Sequence, residues 1–243
     1  MQTLSITGKK LIIFDLDGTL IDSAPDLAAA VNGMYAKLNL PPMPINIIKS
    51  WVGNGSLKLV ERAMQAHHIH DNAMIHHAHE LFLAEYAHKT IEHTQSYAGV
   101  LKGLERLKAA GFYLAICTNK PERYLPKILS HFGWLTLFDQ VIGGDTLSVK
   151  KPDPTPLLYL CQSLGIAPTD AIMVGDSKND ILAGQAAGMT TLALRYGYNY
   201  GEKIDLANPD AAFDDFDTLV EPNTKKTATK TTRQRPTQSP RHL

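Results

Sequence analysis

The sequence predicts an α/β fold: a doubly wound, mostly parallel, Rossmann-like sheet core with a small all-helical cap inserted after the first strand. Short apolar runs rich in β-branched residues alternate with segments of helical period. Helical segments from Val100 onward stop at a glycine, the residue best suited to the left-handed turn that ends a helix. One long stretch after the first apolar run breaks the alternation and reads as helices alone.

The candidate strands are Leu11 to Phe14, Tyr113 to Cys117, Val141 to Ile142, Ala171 to Val174 and Thr191 to Leu194. Apolar runs of this length between polar turns suit strands buried on both faces, as in a parallel sheet. Val100 to Ala110 ends at Gly111, Arg123 to Phe132 at Gly133, Pro156 to Leu164 at Gly165, and Asn179 to Ala187 at Gly188. From Ile21 to Ser96 there is no convincing strand, only helical patterns over Asp26 to Leu38, Ile45 to Trp51, Ser56 to His67 and Asn72 to His88. The expected organisation is a core of residues 1–20 and 97–221, a cap of residues 21–96, and a disordered tail over 222–243. That tail carries Lys225, Lys226, Lys230, Arg233, Arg235 and Arg241, no acid, and almost nothing apolar to bury.

Over all 243 residues, 24 Lys and Arg balance 24 Asp and Glu, so net charge draws the chain neither to nucleic acid nor to an anionic membrane. Cys117 and Cys161 do not form a CxxC pair, which argues against a disulfide framework and for a reducing compartment. The apolar run ending at Asp15 is too short for a signal-peptide core or a membrane span, so a soluble, cytoplasmic protein is expected.

Four strand ends carry chemistry. Asp15-Leu16-Asp17-Gly18-Thr19 follows the first strand, and ligands of open α/β sheets bind outside the carboxyl ends of strands. Two carboxylates there repel one another unless a cation joins them; a solvated acidic turn is the bland alternative. Cys117-Thr118-Asn119-Lys120 offers a hydroxyl and an amide suited to phosphoryl oxygens, or merely a helix cap. Lys150-Lys151-Pro152 supplies a cation, or an exposed basic turn. Gly175-Asp176-Ser177-Lys178-Asn179-Asp180 adds two acids, or the cap of the next helix. All four in this order, each at a strand end, favour a site over four unrelated turns.

In that order and spacing, these motifs resemble those of the haloacid dehalogenase superfamily, and the helical insert resembles its small cap. The likeness runs from about Lys10 to Leu219. It implies a phosphate-ester hydrolase with Asp15 as nucleophile, Asp17 as general acid and base, and Thr118, Asn119 and Lys151 holding the phosphoryl oxygens. It implies Mg²⁺, a hard ion, on Asp15, the Asp17 carbonyl and Asp176, with Asp180 outside that shell orienting a water or Lys151. Phe14 to Ser23, Trp51 to Gly55 and Ile116 to Pro121 most resemble the bacterial branch that hydrolyses phosphoglycolate. The implied partner is a small phosphorylated metabolite, with the protein itself a monomer or homodimer.

Specificity then falls to the cap. Gly53-Asn54-Gly55 precedes the Ser56 helix, a start whose free N–H groups suit an anion, with Lys58 or Arg62 as counter-charge; a flexible loop with a serine cap is the alternative. Eight of the ten histidines lie in the cap, but His76 and His79 fall opposite the apolar face of Met74, Ile75, Ala78, Leu81, Phe82 and Tyr86, which favours a solvated face over a metal site. Rival readings are a sugar-phosphate mutase, a phosphonate hydrolase using Lys37, Lys49 or Lys58, and a binding protein on an inactive scaffold.

Overall fold

A computed structural model describes residues 8–220. The basic tail expected to be disordered lies outside the described residues. The core sheet has six strands in the order β5-β4-β1-β6-β7-β8, every neighbouring pair parallel. They are β1 (Leu11–Phe14), β4 (Tyr113–Cys117), β5 (Gln140–Ile142), β6 (Ala171–Gly175), β7 (Thr190–Leu194) and β8 (Ala211–Phe213). The chain leaves β1 towards one edge and returns to build the other, so β1 marks the point where the winding reverses. In such sheets this is where ligands bind.

Alternation along β1 assigns its two faces. Leu11 and Ile13 join Leu157, Leu160 and Ala183 from α7 (Thr155–Leu164) and α8 (Lys178–Ala186). Ile12 and Phe14 join Leu104 and Phe216 from α5 (Val100–Ala109) and α9 (Phe216–Val220). Cys117 and Cys161 are both free and buried.

The expectation of no strand over 21–96 fails at both ends. β2 (Ile21–Asp22) pairs antiparallel with β3 (Gln95–Ser96), so the two chain crossings into the insert are tied together. Two residues cannot display a period, which is why neither strand was legible. β8 was missed too, being three half-buried residues at the sheet edge. The segment over Arg123 to Phe132 divides: a 3₁₀ turn at Glu122–Tyr124 precedes α6 (Leu125–His131), with Pro126 in its first turn.

Between β2 and β3 lie α1 (Ala24–Lys37), α2 (Ile45–Lys49), α3 (Ser56–Gln65) and α4 (Asn72–Lys89). α1 packs on α4, and α4 on α3. The buried Asp26 carboxylate accepts hydrogen bonds from the His93 and Thr94 N–H groups, at 2.8 and 2.9 Å, and from the Thr94 hydroxyl at 2.6 Å, closing the insert on its own exit. Among the described residues, no helix is long and apolar enough to cross a membrane.

Candidate active site

Asp15 continues β1 by one residue, its N–H donating to the Val174 carbonyl at 2.9 Å. The chain then doubles back through Gly18, at φ +90°. A Cβ there would lie 2.3 Å from Asp176 Oδ2, so only glycine lets the turn pass this close to the second acid. Asp176 ends the β6 side of the site. Its Oδ1 accepts the Thr19 hydroxyl, and its Oδ2 the Tyr198 N–H, each at 2.7 Å. Gly197 is the opposite wall of the same cradle, where a Cβ would lie 2.1 Å from the Asp176 Cβ.

Asp180 caps the start of α8, accepting the Ser177 N–H at 3.0 Å and the Ser177 hydroxyl at 2.7 Å on Oδ2. Its Oδ1 accepts from Lys151 Nζ at 2.7 Å, the contact expected of it. Lys151 Nζ also lies 2.9 Å from Asp15 Oδ1, close enough for charge attraction but not aligned as a hydrogen bond, so that oxygen is buried without a hydrogen-bond partner. One oxygen from each of Asp15, Asp176 and Asp180 lies within 4.8 Å of the others.

Burial pushes the Asp15 carboxyl up from 3.8 to about 6, Lys151 opposing and Asp180 and Asp17 reinforcing. Burial, Asp180 and Asp15 likewise push Asp176 well above the carboxylate range. Crowded acids with an orphaned oxygen and a glycine-walled cradle fit a hard divalent cation, held by Asp15 and Asp176 with Asp180 beside them. Such an ion would neutralise phosphoryl oxygens and compensate the buried charge.

A carboxyl raised in the folded state favours folding while protonated and costs stability as pH rises through about 6. Metal-free protein should therefore melt lower at pH 7.5 than at pH 5, with magnesium salts raising the melting temperature mainly at pH 7.5. Saturation near a hundred times Kd should give about 5–10 °C there. A larger shift at pH 5, followed by calorimetry, would refute a cation on these acids.

Asp17 sits opposite, with both oxygens accepting from Lys120 Nζ, at 2.7 and 2.8 Å, and Oδ1 also accepting the Ser23 hydroxyl. No local signal in the sequence shows that Lys120 pairs with an acid 103 positions away. Burial works against its charge, but Asp17 and Tyr86 outweigh this and push it above the ordinary lysine range. The Thr118 hydroxyl accepts the Lys120 N–H at 3.2 Å. The Asn119 side-chain amide donates to the Gly53 and Lys151 carbonyls, both at 2.9 Å, and so joins loop to core.

Asp15, Asp17, Thr118, Asn119 and Lys120 form the core end of a cavity of about 40 Å³. Gly53, Gly55, Ser56, Val52, Leu59 and Phe82 close it from the insert. Asn54 is turned aside, its Oδ1 accepting from Arg62 at 2.7 Å. Arg62 also donates to the Trp51 carbonyl at 2.6 Å, so it orders the loop and does not enter the cavity. Lys58 pairs with Glu61 at 2.7 Å on the exposed side of α3, away from the place expected of it. Lys37 pairs with Glu85, and Lys49 lies 4.8 Å over the Tyr198 ring; neither lines the cavity.

The histidine expectation holds at the exposed His76 but fails at His79. His79 is half-buried, its Nε2 2.9 Å from the Ser56 hydroxyl. Burial, with Arg123 and His76 reinforcing, pulls its pKa down. The helix pattern separates apolar from polar faces but does not show that the start of α3 covers the side bearing His79. Met74, assigned to the buried face, is 41% exposed.

A parallel sheet presenting an acid cluster, a buried lysine and a hydroxyl at its switch point defines a phosphoryl-transfer hydrolase site. The chain belongs to the haloacid dehalogenase-like hydrolase family, whose profile matches residues 12–194. It is 54% identical over 218 residues to a phosphoglycolate phosphatase of Psychrobacter arcticus, covering 88% of this chain and 95% of that protein. It is 45% identical over 221 residues to the same-named protein of Colwellia psychrerythraea, covering 89% and 98%. A crystal structure from Haemophilus somnus, described as a predicted phosphoglycolate phosphatase, superimposes with TM-score 0.84 at 39% identity, covering 88% and 98% of the two chains. The chain is a phosphatase.

Proposed function

We propose that the chain is a Mg²⁺-dependent phosphoglycolate phosphatase working through a phosphoryl group held covalently on Asp15. The observation that carries this reading is the cavity with Asp15 and Asp17 at one end and the insert at the other. Relatives of that name support phosphoglycolate as the substrate.

The Asp15 carboxylate attacks phosphorus and the ester oxygen departs, receiving its proton from Asp17. Asp17 then takes a proton from the water that attacks the acyl phosphate, returning Asp15 and releasing phosphate. Lys151 and the Thr118 hydroxyl stabilise charge on the transferring oxygens. Asp15, the Asp17 carbonyl and Asp176 would hold magnesium, which when bound would supply charge neutralisation at the transferring oxygens. Residues 21–96 act as the cap, and the helix start at Gly55 and Ser56 faces the leaving group. Asn119 serves by placing Gly53 and Lys151, and Asn54 by fixing the loop through Arg62.

The test is a panel of phosphate esters with product analysis. Phosphoglycolate should give the highest kcat/KM, with glycolate and phosphate released in equal amounts. A preferred hexose phosphate, or phosphate retained on an isomerised sugar, would overturn the assignment.

A further inference from the structure

We propose that Asn179 and Tyr200, together with Asn119, form a latch on the carbonyl oxygen of Gly53 that holds the helical insert closed over Asp15. They are positioning residues, and the proposal rests on the reading of residues 21–96 as a cap over the catalytic acids.

Three separate core segments meet at this loop, and two of them reach this one oxygen. Asn119 lies just past β4, Asn179 in the first turn of α8, and Tyr200 in the loop after β7. The Asn119 amide reaches Gly53 O at 2.9 Å and the Asn179 amide reaches it at 3.1 Å. Both lone pairs of the carbonyl are thereby used, each by a side chain of the core. The Asn179 amide also donates to the Tyr200 hydroxyl at 2.6 Å.

The sequence accommodates this convergence on both sides. Gly53 has φ +124°, and a Cβ there would lie 2.6 Å from the Tyr200 hydroxyl oxygen. Any other residue would push the phenol off the loop. Tyr200 occupies the left-handed region at φ 56°, uncommon for a bulky side chain and kept only where the surroundings hold it. Those surroundings are visible. The Arg62 guanidinium lies 5.1 Å and the Lys178 ammonium 5.3 Å from its ring centre. The Asn199 side chain accepts the Lys178 N–H at 2.9 Å and donates to the Glu202 carbonyl at 2.9 Å, fixing the turn. Arg62 belongs to the insert and Lys178 to the core, so the Tyr200 ring lies between the two.

The latch also touches the catalytic set. The amide of Asn119 that binds Gly53 binds the Lys151 carbonyl as well, and Asn179 immediately precedes Asp180, the partner of Lys151. Loop closure and the placement of Lys151 beside Asp15 thus share the same hydrogen-bond donors. Gly55 and Ser56, which wall the cavity, follow Gly53 by two and three residues, so a loosened Gly53 opens the cavity to water.

The experiment uses the full chain with Tyr200→Phe and Asn179→Ala. Hydrogen exchange of backbone amides 51–58, measured without substrate, should accelerate about tenfold in each variant, the loss of one net hydrogen bond, while the sheet amides keep their protection. KM for phosphoglycolate should rise about tenfold with the burst-phase rate within about threefold of wild type. Unchanged exchange in Tyr200→Phe, the gentler variant, would overturn the latch, as would a fall in burst rate at constant KM. Exchange is read without substrate, so a wild-type enzyme that ignores phosphoglycolate defeats the substrate assignment alone; KM is then read on p-nitrophenyl phosphate.

Discussion

Asp15→Asn is expected to lower kcat/KM by about 10⁴-fold or more, with the fold intact. An amide oxygen is too weak a nucleophile to attack phosphorus, and an acyl phosphate cannot form on it. Stability should move little, because the change removes one of three crowded carboxylates and leaves Lys151 paired with Asp180 at 2.7 Å. The melting temperature of the metal-free variant should stay within about 3 °C of wild type or rise slightly, since like-charge repulsion is relieved. Rapid quench separates this from a general defect. The native enzyme should show a burst of acid-stable, hydroxylamine-labile phosphoprotein, absent from the variant. A variant that keeps the burst, or more than a few per cent of the native rate, would place the nucleophile elsewhere.

The sequence displayed what is local and concealed what is not. Asp15 and Asp176 stand beside strands whose apolar runs are unmistakable, so their placement at strand ends could be read from the sequence, although only the sheet shows that β1 and β6 are neighbours. Lys151 is preceded only by the short and distant run Val141-Ile142, and the resemblance of its Lys-Pro motif supplied what periodicity could not. The contacts that shape the cavity are between distant residues: Lys120 with Asp17, Asn179 with Gly53, His79 with Ser56. Each side chain there has an ordinary local explanation, as a turn cation, a helix-cap neighbour or a solvated histidine. Only the packing of α3 and the loop after β7 against the core removes that explanation. The same limit explains Lys58 and Arg62: one short helix carries both, and the sequence does not say which way that helix is rolled.

Lys151→Met should be the most damaging single change to stability in the site. The ammonium is 1% exposed and sits 2.9 Å from Asp15 and 2.7 Å from Asp180, and Asp176 shares the same 4.8 Å cluster. Burial opposes its charge, but the two acids outweigh this and push its pKa above the ordinary lysine range, so it is the permanent counter-charge of the cluster. Methionine fills the space of the stem without supplying a charge. Removing one partner of a buried pair costs about 3–5 kcal/mol, which for a chain of this size lowers the melting temperature by roughly 10 °C. Magnesium should restore much of that loss, because the ion brings its own charge to the same carboxylates. Activity should not return with it. The ammonium is also placed to meet phosphoryl oxygens as charge shifts among them, and that loss is expected to cost about a thousandfold in kcat/KM even at saturating metal. The two readouts divide the roles. Recovery of stability and rate together would reduce Lys151 to a counter-charge, whereas unaltered stability in chelator would mean that the acids do not depend on it at all.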